Sequence, residues 1–448
     1  MRTLAAATAV MLLAAVMPLA GCSMEREEGI GAGARDPLAV ELAQAFRIDV
    51  SELDVTYDYW PSDARVEGRA VLRFELRPGQ SRPLFHFNPL RRAPAARERE
   101  RLLSLELDGE PLDPSNDEDV RPIRTRRSAE PAFELQRELD HGADHTLRVS
   151  WSSPVPKAPR GWFYTNFDDT IGPGDETETL WPTISSPEDL ARHRFRLRVH
   201  ARRPYTVLGS GAVRRREARD VQAWDFDTRR PIASHTAFLA AVPSARVRTE
   251  RFGAGDVRVR IVSNRSPATI ERARRITRRT IARLVDDLGR FPMPRMQILL
   301  TGWDGGMEYY GATRTGIGAL EHELVHMYFG AATVNRTWRD TWFDEAAVEW
   351  WQRQDALARL RPGFRSDLAR GRSAVAPGFA GAAYGAGARV LGEIARALGG
   401  NRRMIAFLAD LHRRRAFDPF TTDELIDDVV AAQDRIGRAK LERWLYTR

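Results

Sequence analysis

The stretch Gly316-Ile-Gly-Ala-Leu-Glu-His-Glu-Leu-Val-His-Met-Tyr-Phe-Gly330 decides how this chain is read. Leu320, Leu324, Met327 and Tyr328 recur at helical spacing and Gly330 is a stop signal, so the segment is predicted to be a helix. On a helix, positions i and i+4 share a face, which lets His322 and His326 direct imidazole nitrogens at one metal with Glu323 beside them. Catalytic zinc takes three protein ligands and keeps a fourth position open. Eighteen residues separate His326 from Glu345, in Trp342-Phe343-Asp344-Glu345. A carboxylate one short loop later, on an antiparallel helix, supplies the missing ligand. The bland alternative, two histidines satisfied inside a core helix, leaves the intervening Glu323 buried without a partner.

These residues resemble the M1, or gluzincin, aminopeptidases, whose pattern is H-E-x-x-H, eighteen residues, then Glu. Gly305-Gly306-Met307-Glu308-Tyr309 resembles that family's Gly-x-Met-Glu-Asn exopeptidase motif. It follows Leu288-Gly-Arg-Phe-Pro-Met-Pro, which is similar to the family's Gly-x-Tyr-Pro-x-Pro lead-in. Tyr384-Gly385-Ala386-Gly387-Ala388 resembles the Tyr-x-Lys-Gly-Ala segment carrying the family's catalytic tyrosine, and Leu398-Gly399 stands in the place of its following Leu-Gly. The similarity spans roughly residues 50 to 448. Departures are Ala331 for Asn, Asp344 for the Asn before the third ligand, Ala346 for the Gly after it, and Ala386 for Lys. The first three are expected to touch packing more than chemistry. Thirteen residues between Glu308 and His322, fewer than usual, point to a trimmed cleft wall. The N-terminal domain's amine-binding Gln or Glu has only weak counterparts in Glu176 and Glu178, just before Leu180-Trp181-Pro182.

The resemblance implies roles. His322, His326 and Glu345 would hold one zinc, Glu323 would act as general base, and Tyr384 would hydrogen-bond the oxyanion. Gly305, Gly306, Met307 and Glu308 would bind substrate, with Glu308 taking the α-amine. Asp340 would hold a ligand histidine from behind. The chain ends at about the end of the family's catalytic domain, so a comparatively open cleft is expected. Two alternatives remain: a related zinc hydrolase of other specificity, an endopeptidase or a glycyl aminopeptidase of the M61 type, and, more remotely, a non-catalytic scaffold.

At the N-terminus, Arg2, an apolar run from Leu4 to Met17 and Leu19-Ala-Gly-Cys22 read as a lipoprotein signal. The run is shorter than a membrane span needs. Cys22 is the sole cysteine, so the chain has no internal disulfide. The expected location is the bacterial cell envelope, lipid-anchored through Cys22, in the outer membrane if the source is Gram-negative.

The expected organisation is a signal peptide over 1–21, a tether over 22–49, an N-terminal β-sheet domain over 50–245 and a thermolysin-like, mainly helical catalytic domain over 246–448. The fold class is therefore α+β. Leu53 to Tyr59, Ala70 to Leu76, Leu103 to Leu107, His145 to Trp151 and Phe195 to Val199 alternate apolar with polar residues between Pro and Gly turns, which predicts an antiparallel β domain. Ser266-Pro267 opens a predicted helix running to about Leu288, and a strand is expected from Met296 to Thr301. The formal charge is +8, but Lys occurs only at 157 and 440 and the rest is Arg. Acidic residues are interspersed with the basic ones, so no phosphate-binding stripe is visible and nucleic acid is not an expected partner. The expected partners are peptides with a free N-terminus.

Overall fold

The computed structural model describes residues 48–86, 101–123, 132–154, 163–165, 189–218, 221–337, 340–357, 368–369 and 382–446. The signal segment, Cys22, the tether, Glu176, Glu178 and Leu180-Trp181-Pro182 lie outside them.

The five alternating runs all lie in strands of one eight-stranded sheet. Its strand order is Ala212–Ala218, Val221–Ala233, Leu190–Val199, Ile48–Trp60, Arg65–Leu76, His145–Pro154, Arg101–Leu107, Glu110–Pro111. Period-two alternation puts Val66, Ala70, Leu72, Phe74 and Leu76 into the core and their neighbours outward. Gly68, on the inward face, meets its cross-strand partner Trp151, whose buried indole occupies the space where a Cβ would stand.

The expectation of a purely antiparallel sheet needs correction: Ile48–Trp60 and Leu190–Val199 pair in parallel. Alternation reports which face a strand buries and says nothing of strand direction. The outward arginines of Leu190–Val199 instead identify neighbours by charge. Arg194 donates to Asp54, its register partner, at 2.8 Å. Arg196 donates to its own partner Asp225 at 2.7 Å, and Arg192 to Asp227 at 2.7 Å. Opposite charges directly across strands support that register.

The C-terminal half is less purely helical than expected. Two strands, β1 (Arg248–Ala254) and β2 (Val257–Ser263), precede helix α1 (Pro267–Leu288). After α1 come β3 (Arg295–Leu300), β4 (Gly306–Tyr309) and β5 (Ala312–Thr315), and together they form a mixed sheet in the order β1-β2-β3-β5-β4. The signal for β2 was present in Val257, Val259 and Ile261 alternating with Arg258 and Arg260. Helix α1 starts as the sequence indicates: the Ser266 side chain accepts from the Thr269 N–H and Pro267 sits in the first turn. Ile270, Ala273, Ile281, Leu284 and Leu288 form its buried stripe.

Helix α2 (Leu320–Val325) and helix α3 (Trp342–Leu357) follow, then a π-helical turn (Ala382–Gly387) that runs into the helix Ala388–Leu398. Three further helices, Asn401–Arg415, Thr422–Ala432 and Arg438–Tyr446, cover the far side. Among the described residues, no helix is long and apolar enough to cross a membrane.

Candidate metal centre

Helix α2 is shorter than its periodicity suggested, ending at Val325, with His326 still in helical conformation as its cap. Beyond it the chain tightens, Tyr328 N–H reaching the Val325 carbonyl at 3.0 Å, and stops at Gly330 with φ +102°. That glycine meets two demands. A side chain there would adopt a disfavoured backbone conformation, and its Cβ would overlap the Asp344 carboxylate.

His322 Nε2 and His326 Nε2 lie 3.0 Å apart, and Glu345 Oε2, from the first turn of α3, is 3.2 Å from the first and 3.3 Å from the second. Four donors arranged tetrahedrally at the usual zinc–ligand distance are spaced about 3.3 Å apart. The three side chains thus form a group that could hold a zinc ion, with one corner left open. Behind the donors, each imidazole is held by its other nitrogen. His322 Nδ1 faces Gln352 Oε1 at 3.1 Å, and His326 Nδ1 faces Asp344 Oδ1 at 2.7 Å and the Phe329 carbonyl at 3.1 Å. This leaves both Nε2 atoms available to a metal. A second acidic group, Glu308, His326 and Asp344, shares His326, but there the Nδ1 atom is already committed to Asp344.

Two expectations change here. Asp340 does not support a histidine: its Oδ1 accepts from Thr422 N–H and Oγ1, both at 2.7 Å, and its Oδ2 from Thr337 Oγ1 at 2.6 Å. It ties the turn before α3 to a later helix. The support comes from Asp344, whose departure from Asn bears on the metal ligand and not on packing alone. Gln352 was missed as well. It follows Glu345 by seven residues, two turns along the same helix face, a spacing that could have identified it.

Electrostatics fit a cation. The carboxylates of Glu308, Glu323, Asp344 and Glu345 converge on two imidazoles, an excess of acid that a divalent ion would neutralise. Burial pushes the Glu323 carboxyl up to about 7, partly opposed by His322 and His326. Burial alone would also raise Glu345, yet the positive charge of His326 and hydrogen bonds from both histidines hold it well below the usual carboxylate range. Burial raises Glu308 strongly. Glu323 Oε2 is buried and accepts no hydrogen bond among the described residues, so it is a carboxylate oxygen still owed a proton donor.

The substrate-side residues gather at the same place. Strand β4 carries Gly306-Met307-Glu308 past α2, with Gly305 just before it, and a Cβ on Gly306 would overlap the Glu323 carboxylate. Glu308 and Gly306 share the face turned to the histidines, whereas Met307 alternates to the other face and packs against the cluster that contains Leu299 and Phe238. The Tyr384 ring stacks on that of His322 at an interplanar angle of 29°, centroids 5.7 Å apart, and its hydroxyl donates to Glu345 Oε1 at 2.6 Å. Gly387 lets the π-helical turn approach α3, because a Cβ there would overlap that of Ala346. Of the residues named from the sequence, His322, Glu323, His326, Glu345, Glu308, Gly306 and Tyr384 thus gather at the centre, whereas Asp340 does not.

Removing the Asp344 carboxylate tests the support of His326. Asp344→Ala is expected to weaken zinc affinity roughly ten- to a hundredfold, while Asp344→Asn, which keeps an acceptor, loses less. Competition with a zinc-chelating dye measures both, and equal affinity in Asp344→Ala and the unmodified protein would remove Asp344 from the centre.

No protein-family model matches the chain, and no curated protein does. Solved structures do. It superposes on an M1 zinc metallopeptidase from Deinococcus radiodurans with a TM-score of 0.65 at 20% identity, covering 89% of this chain and 94% of that one. A mutant of that enzyme bound to a Tyr-Ser-Ala substrate gives 0.65 at 19%. Legionella pneumophila aminopeptidase A gives 0.68 at 13%, over 90% of this chain and 50% of that one. Yeast LTA4 hydrolase gives 0.65 at 14%, over 89% and 68%. The chain therefore has the two-part fold of the M1 zinc metallopeptidases, an N-terminal β-sheet region followed by a helix-rich C-terminal region that carries a His-His-Glu group able to hold zinc.

Proposed function

We propose that this protein is a zinc-dependent aminopeptidase that removes N-terminal residues from peptides. The observation that carries the reading is the 3.0–3.3 Å triangle of His322, His326 and Glu345 donors with Glu323 beside it, its buried Oε2 without a hydrogen-bond partner among the described residues. Zinc held there would supply Lewis acidity, polarising a carbonyl and acidifying water. Glu323 takes the proton from the attacking water and passes it to the leaving amine, and its buried setting places its proton affinity where both transfers are feasible. Tyr384 turns its hydroxyl from Glu345 toward the oxyanion as charge develops. Gly306 keeps the peptide-facing strand close to Glu323, so the scissile bond and the base meet.

Glu308 sets the register. Its carboxylate sits on the edge strand next to His326, one residue's reach from the metal position, where it can pair with a substrate α-ammonium. A charge-assisted contact of this kind contributes about 1.5–3 kcal/mol. Glu308→Ala is therefore expected to lower kcat/KM for free N-termini by roughly ten- to a hundredfold, with acetylated peptides poor substrates of both forms. A panel of amino-acid arylamides with blocked-peptide controls reads this directly. Internal cleavage of acetylated peptides at comparable rates by the unmodified enzyme would replace this reading with an endopeptidase.

We place the mature protein on a bacterial envelope membrane through lipidated Cys22, on the strength of the Leu19-Ala-Gly-Cys22 pattern. Cys22→Ser should move it from the membrane to the soluble fraction in detergent-free extracts. Unmodified protein recovered wholly as soluble material would exclude the anchor.

A further inference from the structure

On the face of the mixed sheet opposite Glu308, and at the opposite edge, β1, β2 and β3 bring together arginines that are far apart in sequence. Arg251 pairs across strands with Arg260, and Arg258 with Arg295. Arg258 and Arg260 are two residues apart on β2, so all four side chains share one face. They line a cleft of about 580 Å³, closed on the other side by Gly211 and Val213 of the N-terminal sheet. That volume is the scale of a small-molecule site.

Like charges placed directly across strands are destabilising. The contrast with the N-terminal sheet is direct, since there Arg194 and Arg196 face Asp54 and Asp225 in register. Among the described residues, no acidic residue lines the cleft. Two neighbouring carboxylates are engaged elsewhere: Glu250 alternates to the other face and lies 4.0 Å from Arg274, and Asp227 pairs with Arg192. Arg260 is half-buried. One of its terminal nitrogens donates to the Val207 carbonyl at 2.8 Å, while its Nε is buried with no acceptor among the described residues. Burial and then the neighbouring Arg251 push its guanidinium down to about 10, and burial, Arg258 and Arg229 lower Arg295. The fold holds at least four positive charges together at a cost that a bound anion would offset.

We propose that this cleft binds a ligand presenting clustered phosphate oxygens, seated among Arg251, Arg258, Arg260 and Arg295. A lone carboxylate would neutralise one of the four, whereas a polyphosphate or a phosphorylated headgroup concentrates several charges in a body that a cleft of this size admits. The planar guanidinium fork matches such oxygens with paired hydrogen bonds. The two sources, a soluble phosphate compound and a phospholipid headgroup, share this chemistry and are separated by experiment.

The full chain is titrated calorimetrically with tripolyphosphate and, separately, sedimented with phosphatidylglycerol or phosphatidylcholine vesicles. The Arg258→Gln/Arg295→Gln double variant and the exposed single variant Arg251→Gln are run alongside. Saturable binding by the unmodified chain, with about a tenfold or greater loss in the double variant, is the expected result. Any chelation of zinc by tripolyphosphate is common to all forms and cancels in the comparison. Binding of tripolyphosphate identifies a soluble phosphate ligand, and binding confined to phosphatidylglycerol vesicles identifies a headgroup. Arylamide hydrolysis should be unchanged in the double variant, and its ligand-free melting temperature should equal or exceed that of the unmodified chain, because a like-charge pair is gone. Equal binding by variants and unmodified chain, or no binding in either arm, overturns the proposal. A double variant that melts lower would assign these arginines a structural role instead.

Discussion

Glu323→Gln is expected to retain zinc and to lower kcat by roughly a hundred- to ten-thousandfold, the range a positioned general base contributes. The ligand triangle is complete without Glu323: the His322, His326 and Glu345 donors span 3.0–3.3 Å among themselves. Gln fills the space left by Gly306 with nearly the same shape, so the helix and strand stay in place. What is lost is the ability to accept a proton at a buried oxygen that has no other partner among the described residues. Metal content by mass spectrometry and arylamide kinetics separate the two effects. Near-normal kcat, or metal lost from the variant, would remove Glu323 from the role of base. Glu345→Gln gives the opposite pattern, since replacing the ligand carboxylate weakens zinc binding first and activity as its consequence.

Tyr384→Phe is expected to lower kcat about a hundredfold or more while leaving KM nearly unchanged, because an oxyanion donor acts mainly in the transition state. The structure offers a competing role. The Tyr384 hydroxyl donates to Glu345 Oε1 at 2.6 Å, so it could serve only to orient a metal ligand. Zinc affinity decides between them. An oxyanion donor predicts that Tyr384→Phe holds zinc as tightly as the unmodified protein, whereas an orienting hydroxyl predicts weaker zinc binding with kcat restored at saturating metal.

The sequence by itself determined which side chains meet at the centre, His322, Glu323, His326 and Glu345, because their geometry is local. His322, Glu323 and His326 are fixed relative to one another by a single helical turn, and Glu345 needs only one short connection to join them. The start of α1 at Ser266-Pro267 was legible for the same reason: a cap and its first turn lie within four residues. Strand positions in the N-terminal sheet were legible from alternation, but the parallel pairing of Ile48–Trp60 with Leu190–Val199 was not, since burial of one face is indifferent to direction.

Tertiary structure alone decided what stands behind and around the ligands. Asp344 and Asp340 are four residues apart and both acidic, yet only Asp344 reaches His326, because Gly330 opens space on that side while Asp340 is drawn to Thr422, eighty-two residues away. The basic cleft is the clearest case. Along the chain Arg251, Arg258 and Arg260 are interrupted by Asp256 and preceded by Glu250, and Arg295 lies far from them. Strand register then brings the arginines side by side and turns Glu250 to the other face, so the local charge is set by pairing across strands and not by composition.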